Sequence, residues 1–195
     1  MTNRREFLCT AAALSATPLA GRAAFAEGRE LAALEAVVYD SRHPEAREFG
    51  ARAALLGAPL RAIEGDVTDL WQHELLARWK AGPRAVAGLT ERPALFVLER
   101  LAWEHGLRVV FEAEHEPNGS GAAAHRVLRT AAPDLAHELA AAGRGWTAVL
   151  AEAVVAGPRT RGHDFRSSQA ALTAYPGEPT TLCSWVIAPR AETKI

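Results

Sequence analysis

The sequence predicts an α/β domain with an open, mostly parallel sheet of about five or six strands, helices on both faces and one antiparallel hairpin. Three observations carry this. Short apolar runs alternate with segments of helical periodicity three times in succession between Leu34 and Phe111, the order that threads helices between strands of one sheet. The stretch from Ala85 to His115 reads as strand, tight turn, helix and strand, the layout of a βαβ unit with parallel strands. With 49% apolar and 23% charged residues, the 195 residues can fill one ordinary core, so a single domain is the default.

The first strand is Leu34–Tyr39, closed by Asp40-Ser41. A helix follows, with Ser41 or His43 as cap and Pro44 near its start; Ala46, Phe49, Ala53 and Leu56 share one face, and Gly57 ends it. Leu60–Glu64 is a second strand, stopping at Gly65-Asp66. Val67–Lys80 is helical in pattern, capped by Asp66 or Thr68, with Leu70, Trp71, Leu75 and Trp79 as its apolar stripe. After Gly82-Pro83 comes the third strand, Ala85–Leu89. Thr90 is expected to cap the next helix, and Pro93 sits in its first turn, where a missing N–H costs nothing. Polar residues on that helix are confined to Arg92, Glu99, Arg100 and Glu104, so burial on most sides is expected. His105-Gly106 closes it with a cation and a residue suited to the left-handed cap.

Leu107–His115 is the next strand, Pro117–Gly121 a reversal and Ala123–Leu128 the returning strand of a hairpin. Pro133–Ala142 and Trp146–Ala156 are helices, separated by Gly143-Arg144-Gly145. Residues 157–181, rich in Gly and Pro, read as a long flexible loop, with a helical turn at Ala170–Ala174. Leu182–Ile187 is the last strand.

Ahead of the first strand, Arg4-Arg5 precede Phe7-Leu8 and an Ala-rich run, and Ala24-Phe25-Ala26 supplies a small-x-small cleavage pattern. Residues 1–26 resemble a twin-arginine export signal, Ser/Thr-Arg-Arg-x-Phe-Leu-Lys, with Asn3 and Cys9 at the two departing positions. The resemblance implies a cleavable signal, the twin-arginine export machinery as a partner, and a soluble domain, residues 27–195, in the periplasm. Cargo of that route is often a cofactor enzyme, or a small subunit travelling with one. The apolar run is too short and too rich in Ala and Thr for a stable membrane span. Losing Arg4, Arg5, Arg22 and Glu6 with the signal would take the net charge from −1 to −3, and no basic field invites nucleic acid. Cys9 would leave too, and Cys183 alone makes neither an internal disulfide nor a cysteine metal site.

Beyond the signal, the chain resembles exported proteobacterial proteins with DSR, GDVT-LW and AGLT segments. Here these are Asp40-Ser41-Arg42, Gly65-Asp66-Val67-Thr68 with Leu70-Trp71, and Ala87-Gly88-Leu89-Thr90. No activity comes with that resemblance.

Ligands of open parallel sheets bind outside the carboxyl ends of the strands. Three strand ends are readable, and they nominate Asp40, Ser41, Arg42, His43, Asp66, Thr68, Gly88 and Thr90 as a ligand-binding rim for a small polar or anionic molecule. Arg42 would be the charge partner, with Ser41 and Thr90 as hydroxyl donors. A plainer reading stands beside it: Ser41, Asp66 and Thr90 as helix caps, and Asp40–Arg42 as a local ion pair.

Other constellations are weaker. His115 and His125 could share a face across the hairpin, with Glu112, Glu114 and Glu116 on the opposite one, but two imidazoles are too few for a metal centre and no HExxH occurs. A solvated acidic edge explains the glutamates better. His163-Asp164 with Ser167 and Ser168 lacks any GxSxG elbow, and Cys183 reads as a small core residue. No GxGxxG follows the first strand and no GxxxxGK[ST] occurs. No catalytic residue, metal or cofactor is therefore assigned. Of the five tryptophans, Trp71, Trp79 and Trp103 fall at core spacing, and any that proves exposed would mark a partner or ligand surface.

Two functional expectations follow. One is a non-enzymatic protein that binds a small molecule or serves as an accessory subunit co-exported with a redox enzyme. The alternative is a small periplasmic enzyme using Asp40, His43 and Asp66 in acid–base chemistry.

Overall fold

The computed structural model describes residues 34–130, 134–156, 166–170 and 180–189. The expected export signal at 1–26 lies outside them, as do His163, Asp164 and most of the expected loop at 157–181. The elements in chain order are β1 (Ala36–Asp40), α1 (Pro44–Leu55), β2 (Leu60–Ile63), α2 (Thr68–Leu70), a π-helical turn (Trp71–Leu75), α3 (Leu76–Ala81), β3 (Val86–Glu91), α4 (Arg92–Trp103), β4 (Leu107–Pro117), β5 (Ala123–Thr130), α5 (Leu135–Ala141), a 3₁₀ turn (Gly143–Gly145), α6 (Trp146–Val155), β6 (Arg166–Ala170) and β7 (Leu182–Pro189).

The strands form one sheet in the order β2-β1-β3-β7-β4-β5-β6. β1 pairs in parallel with β2 and β3, while β3/β7, β4/β7, β4/β5 and β5/β6 are antiparallel. The α/β class is as the sequence reads, and the β4–β5 hairpin is where the turn residues put it. The sheet is mixed, however: β5 and β7 run against the other five strands. β3 and β4 point the same way with α4 between them, but they are not neighbours, because β7 is inserted between them. The physical reason is visible in β7 itself. Every residue from Leu182 to Ala188 is buried, and a strand apolar on both faces belongs inside a sheet. β6 falls within the expected loop at 157–181, of which the structure describes only residues 166–170 and 180–181.

Helices cover both faces. Ala46 and Phe49 of α1, Leu139 of α5, and Trp146 and Leu150 of α6 pack on Val37, Leu89 and Val186. Leu75 and Trp79, with Leu95 and Leu98 of α4, pack on Val38, Val109 and Trp185 on the other side. A β-bulge between Val109 and Phe111 switches the buried side of β4: Leu107 and Val109 pack with the α4 layer, Phe111 and Ala113 with the α1, α5 and α6 layer. No described helix is long and apolar enough to cross a membrane.

α4 departs from expectation. It buries only Ala94, Leu95, Leu98 and Ala102, while Phe96, Val97 and Trp103 are 55%, 41% and 42% exposed. These three side chains give α4 an outward-facing apolar surface. Thr90 is likewise not a cap. It lies within β3, fully buried, and accepts the indole N–H of Trp185 at 3.0 Å. Nor is β4 an acidic edge: it runs between β7 and β5, and Glu114 is bonded to Arg92 and Arg126.

Candidate functional site

The described strand ends meet where the chain changes direction. From β1 the chain leaves into α1 on one face of the sheet; from its neighbour β3 it leaves into α4 on the other. The two helices diverge and open a crevice between adjacent strand ends, the topological switch point at which α/β sheets take their ligands.

Four charged or titratable side chains converge there. Asp40, the last residue of β1, has no exposed surface. Arg42 grips it in fork geometry, Nε donating to Oδ1 at 2.9 Å and Nη2 to Oδ2 at 2.6 Å, and its backbone N–H adds a bond at 3.2 Å. The same Nη2 lies 3.1 Å from Oε2 of Glu91. His43 Nε2 is 2.9 Å from Glu91 Oε1 and 3.9 Å from Asp40 Oδ2. His43 and Glu91 occupy the N-cap positions of α1 and α4, yet neither side chain caps its own helix. Pro44 and Pro93 start the two helices, and Pro removes one of the N–H groups that would need a cap. The two side chains are left to meet across the crevice.

Burial alone would raise the Asp40 pKa; the hydrogen bonds from Arg42, with its charge and that of His43, outweigh this and hold the carboxyl below its ordinary value. Arg42 lies flat over Gly65, whose φ is +87°; a Cβ there would come within 2.6 Å of the guanidinium carbon. The β2–α2 loop thus forms the floor on which the arginine rests, and only glycine fits it.

Of the eight rim residues expected from sequence, the structure brings Asp40, Arg42 and His43 into one cluster. Ser41 is adjacent, with its hydroxyl donating to Ile63 O at 3.0 Å. Asp66 and Thr68 form a turn of their own: the exposed Asp66 carboxylate accepts the Thr68 N–H at 2.8 Å and hydroxyl at 2.7 Å, bonds that lower its pKa. Gly88 and Thr90 lie inside the sheet under Trp185, a Cβ at Gly88 falling 2.5 Å from that ring. Glu91 was the residue missed. Its signal was the helix start one position later than Thr90 suggested, which moves a carboxylate to the strand end.

Asp40, His43 and Glu91 also present ligand atoms within 4.8 Å of one another, a spacing a metal ion could use. Arg42 already places its positive charge against both carboxylates, so an ion would first have to displace it. Beside the cluster, a groove of about 510 Å³ runs along the end of β2, lined by Ser41, Arg61, Glu64, Asp66, Asp69, His73 and Glu74 among others. His73 and Glu74 reach it from the π-helical turn, a backbone form found disproportionately at functional sites. Four carboxylates against one arginine make the groove acidic. No family model, curated protein or solved structure matches this chain.

Proposed function

We propose that this chain is an exported, non-enzymatic binding protein that takes a small polar ligand at the β1/β3 strand ends, seated in the acidic groove beside them. One observation carries the reading: Arg42, His43 and Glu91 converge on the buried Asp40 at the switch-point crevice. A helix-capping role would leave these side chains on their own helices, and they are not there. The sequence suggested an anionic ligand for Arg42. With that arginine held by two carboxylates and the adjoining groove acidic, a ligand with a positive charge and hydrogen-bond donors is the better complement. Export rests on the resemblance of residues 1–26 to a twin-arginine signal.

Native mass spectrometry tests this on protein recovered without denaturation from the cells that make it. The expected result is an adduct of low mass that is lost in the Asp66→Asn/Asp69→Asn variant. A bare mass in the wild type under gentle recovery and in a screen of small amines would refute ligand binding at the groove.

One surface favours the accessory-subunit reading. Arg100 stacks over both Phe96 and Trp103 on the outer side of α4, 5.1 and 4.2 Å from the ring centroids, and exposed Trp, Phe and Arg are the residue types of protein contact centres. In the same spectra this reading requires a larger complex that dissociates in Trp103→Ala, with the adduct unaffected.

A further inference from the structure

The other concentration of chemistry lies in the core, under α6. His115 of β4 and His125 of β5 are direct cross-strand partners, with relative exposures of 0% and 1%. Their Nδ1 atoms are 2.8 Å apart, and His115 Nε2 is 2.6 Å from the Ser184 hydroxyl on β7. Trp146, the first residue of α6, stacks on His115 at 4.7 Å between centroids and leans on His125 at 5.2 Å. His125 Nε2 and the Trp146 indole nitrogen are buried without a hydrogen-bond partner among the described residues. The order hydroxyl–imidazole–imidazole has the polarity of a nucleophile and its base, but Ser184 and His115 have no exposed surface for a substrate to reach.

The protons of this chain are tightly constrained. A bond between two Nδ1 atoms needs one N–H and one lone pair, so two neutral rings share a single proton there. One added proton places a charge in an apolar core. A second sets N–H against N–H and breaks the bond. We propose that the His115–His125 pair is an acid-operated latch for the α5–α6 cover: proton uptake by the pair breaks the stack beneath Trp146 and lets the cover lift from the sheet.

Among the described residues, the surroundings offer an added charge no counterion. On β4, Glu112 and Glu114 point to the other face, where Arg92 binds both and Arg126 of β5 binds Glu114. Glu116 is exposed, and Arg129 of β5 donates to Val109 O. On the cover, His137 and Glu138 of α5 are exposed, and Glu152 of α6 pairs with Arg52 of α1. Glu48 of α1 accepts the Thr147 hydroxyl. Burial, with the charge of His125 adding to it, holds His115 well below the usual imidazole range, and burial takes His125 down to about 4. The sign follows: the unfolded or opened chain titrates near 6.5, so closure is strongest above that pH and weakens as pH falls below it.

The experiment is urea unfolding and hydrogen exchange of the full chain at pH 7.5 and 5.0. The unfolding constant should rise about 30-fold for each depressed imidazole over that interval, roughly 1000-fold for the pair. Exchange at pH 5.0, corrected for intrinsic rate, should accelerate first in residues 135–155 while β1 and β3 stay protected. His115→Leu/His125→Leu should remove the pH dependence to within about threefold; if that variant does not fold, the exchange pattern of the wild type decides. Equal wild-type stability at the two pH values, the same fall in the double variant, or opening that begins elsewhere than α5–α6 would each overturn the latch.

Discussion

Trp185→Ala is expected to destabilise the domain by about 4 kcal/mol, the scale of a large aromatic removed from a core. The ring is fully buried in β7, covers Gly88 of the neighbouring strand and donates its indole N–H to Thr90. Removing it leaves a cavity between β3 and the α4 layer and strips the Thr90 hydroxyl of its partner from β7. The complementary change, Gly88→Ala, is expected to cost about 3 kcal/mol, because the new methyl would stand 2.5 Å from the tryptophan and 2.7 Å from Val38 O. The two sites are in contact and should therefore not add. In Gly88→Ala/Trp185→Leu the smaller side chain makes room on one side but not against the Val38 carbonyl. The double variant should recover more than about 1 kcal/mol of the sum, and not all of it. Urea midpoints followed by far-ultraviolet circular dichroism measure the cycle; strict additivity would mean that Gly88 serves something other than ring clearance.

The second large effect is expected at the strand ends. Arg42→Ala leaves the Asp40 carboxylate without its main partner and with no exposed surface, which should cost about 2–3 kcal/mol at pH 7, less than a fully buried pair because Arg42 is itself 44% exposed. The acid profile separates this from lost packing. In the wild type the depressed Asp40 pKa contributes stability that is present above about pH 3.9 and is lost as pH falls through the folded value. In Arg42→Ala, burial has no opposing hydrogen bond and favours the protonated acid, so the variant should close the gap with the wild type between pH 7 and pH 3. A difference that stays constant over this range would assign the cost to packing. The comparison is made at each pH between the two proteins, so the imidazole titration in the core cancels.

Much of the layout could be read from residues alone because it depends on local rules. Gly57 and Gly106 end α1 and α4 with positive φ, and Pro117 to Gly121 gave the hairpin that brings His115 opposite His125. Strand order was not local. Nothing between Ala85 and His115 says that a strand almost a hundred residues later will be placed in its middle, and Leu182–Ile187 was read only as a strand, without a place in the order. The π-helical turn was hidden for another reason: Leu70, Trp71, Leu75 and Trp79 fit an α-helical stripe closely enough that one extra residue per turn leaves no mark. At the site, periodicity gave Asp40, Arg42 and His43, since these follow directly from where β1 stops. It misplaced Thr90 by taking a hydroxyl before a helix as a cap, when the indole of Trp185 was the partner that decided its position.

The late insertion of β7 also bears on how the domain comes into being. As the chain is synthesised, β3 and β4 emerge long before Leu182, and each then has an unsatisfied row of backbone groups flanking a gap one strand wide. Pairing across nearly the whole domain is slow to find, and an open strand-shaped slot can accept any extended segment, including the β7 of a second copy. A chain in which β3 and β4 were in place before β7 would be a receptor for its own β7. A body lacking residues 182–189 should accept the peptide LCSWVIAP supplied in trans, by the same main-chain pairing through which donor strands complete other sheets.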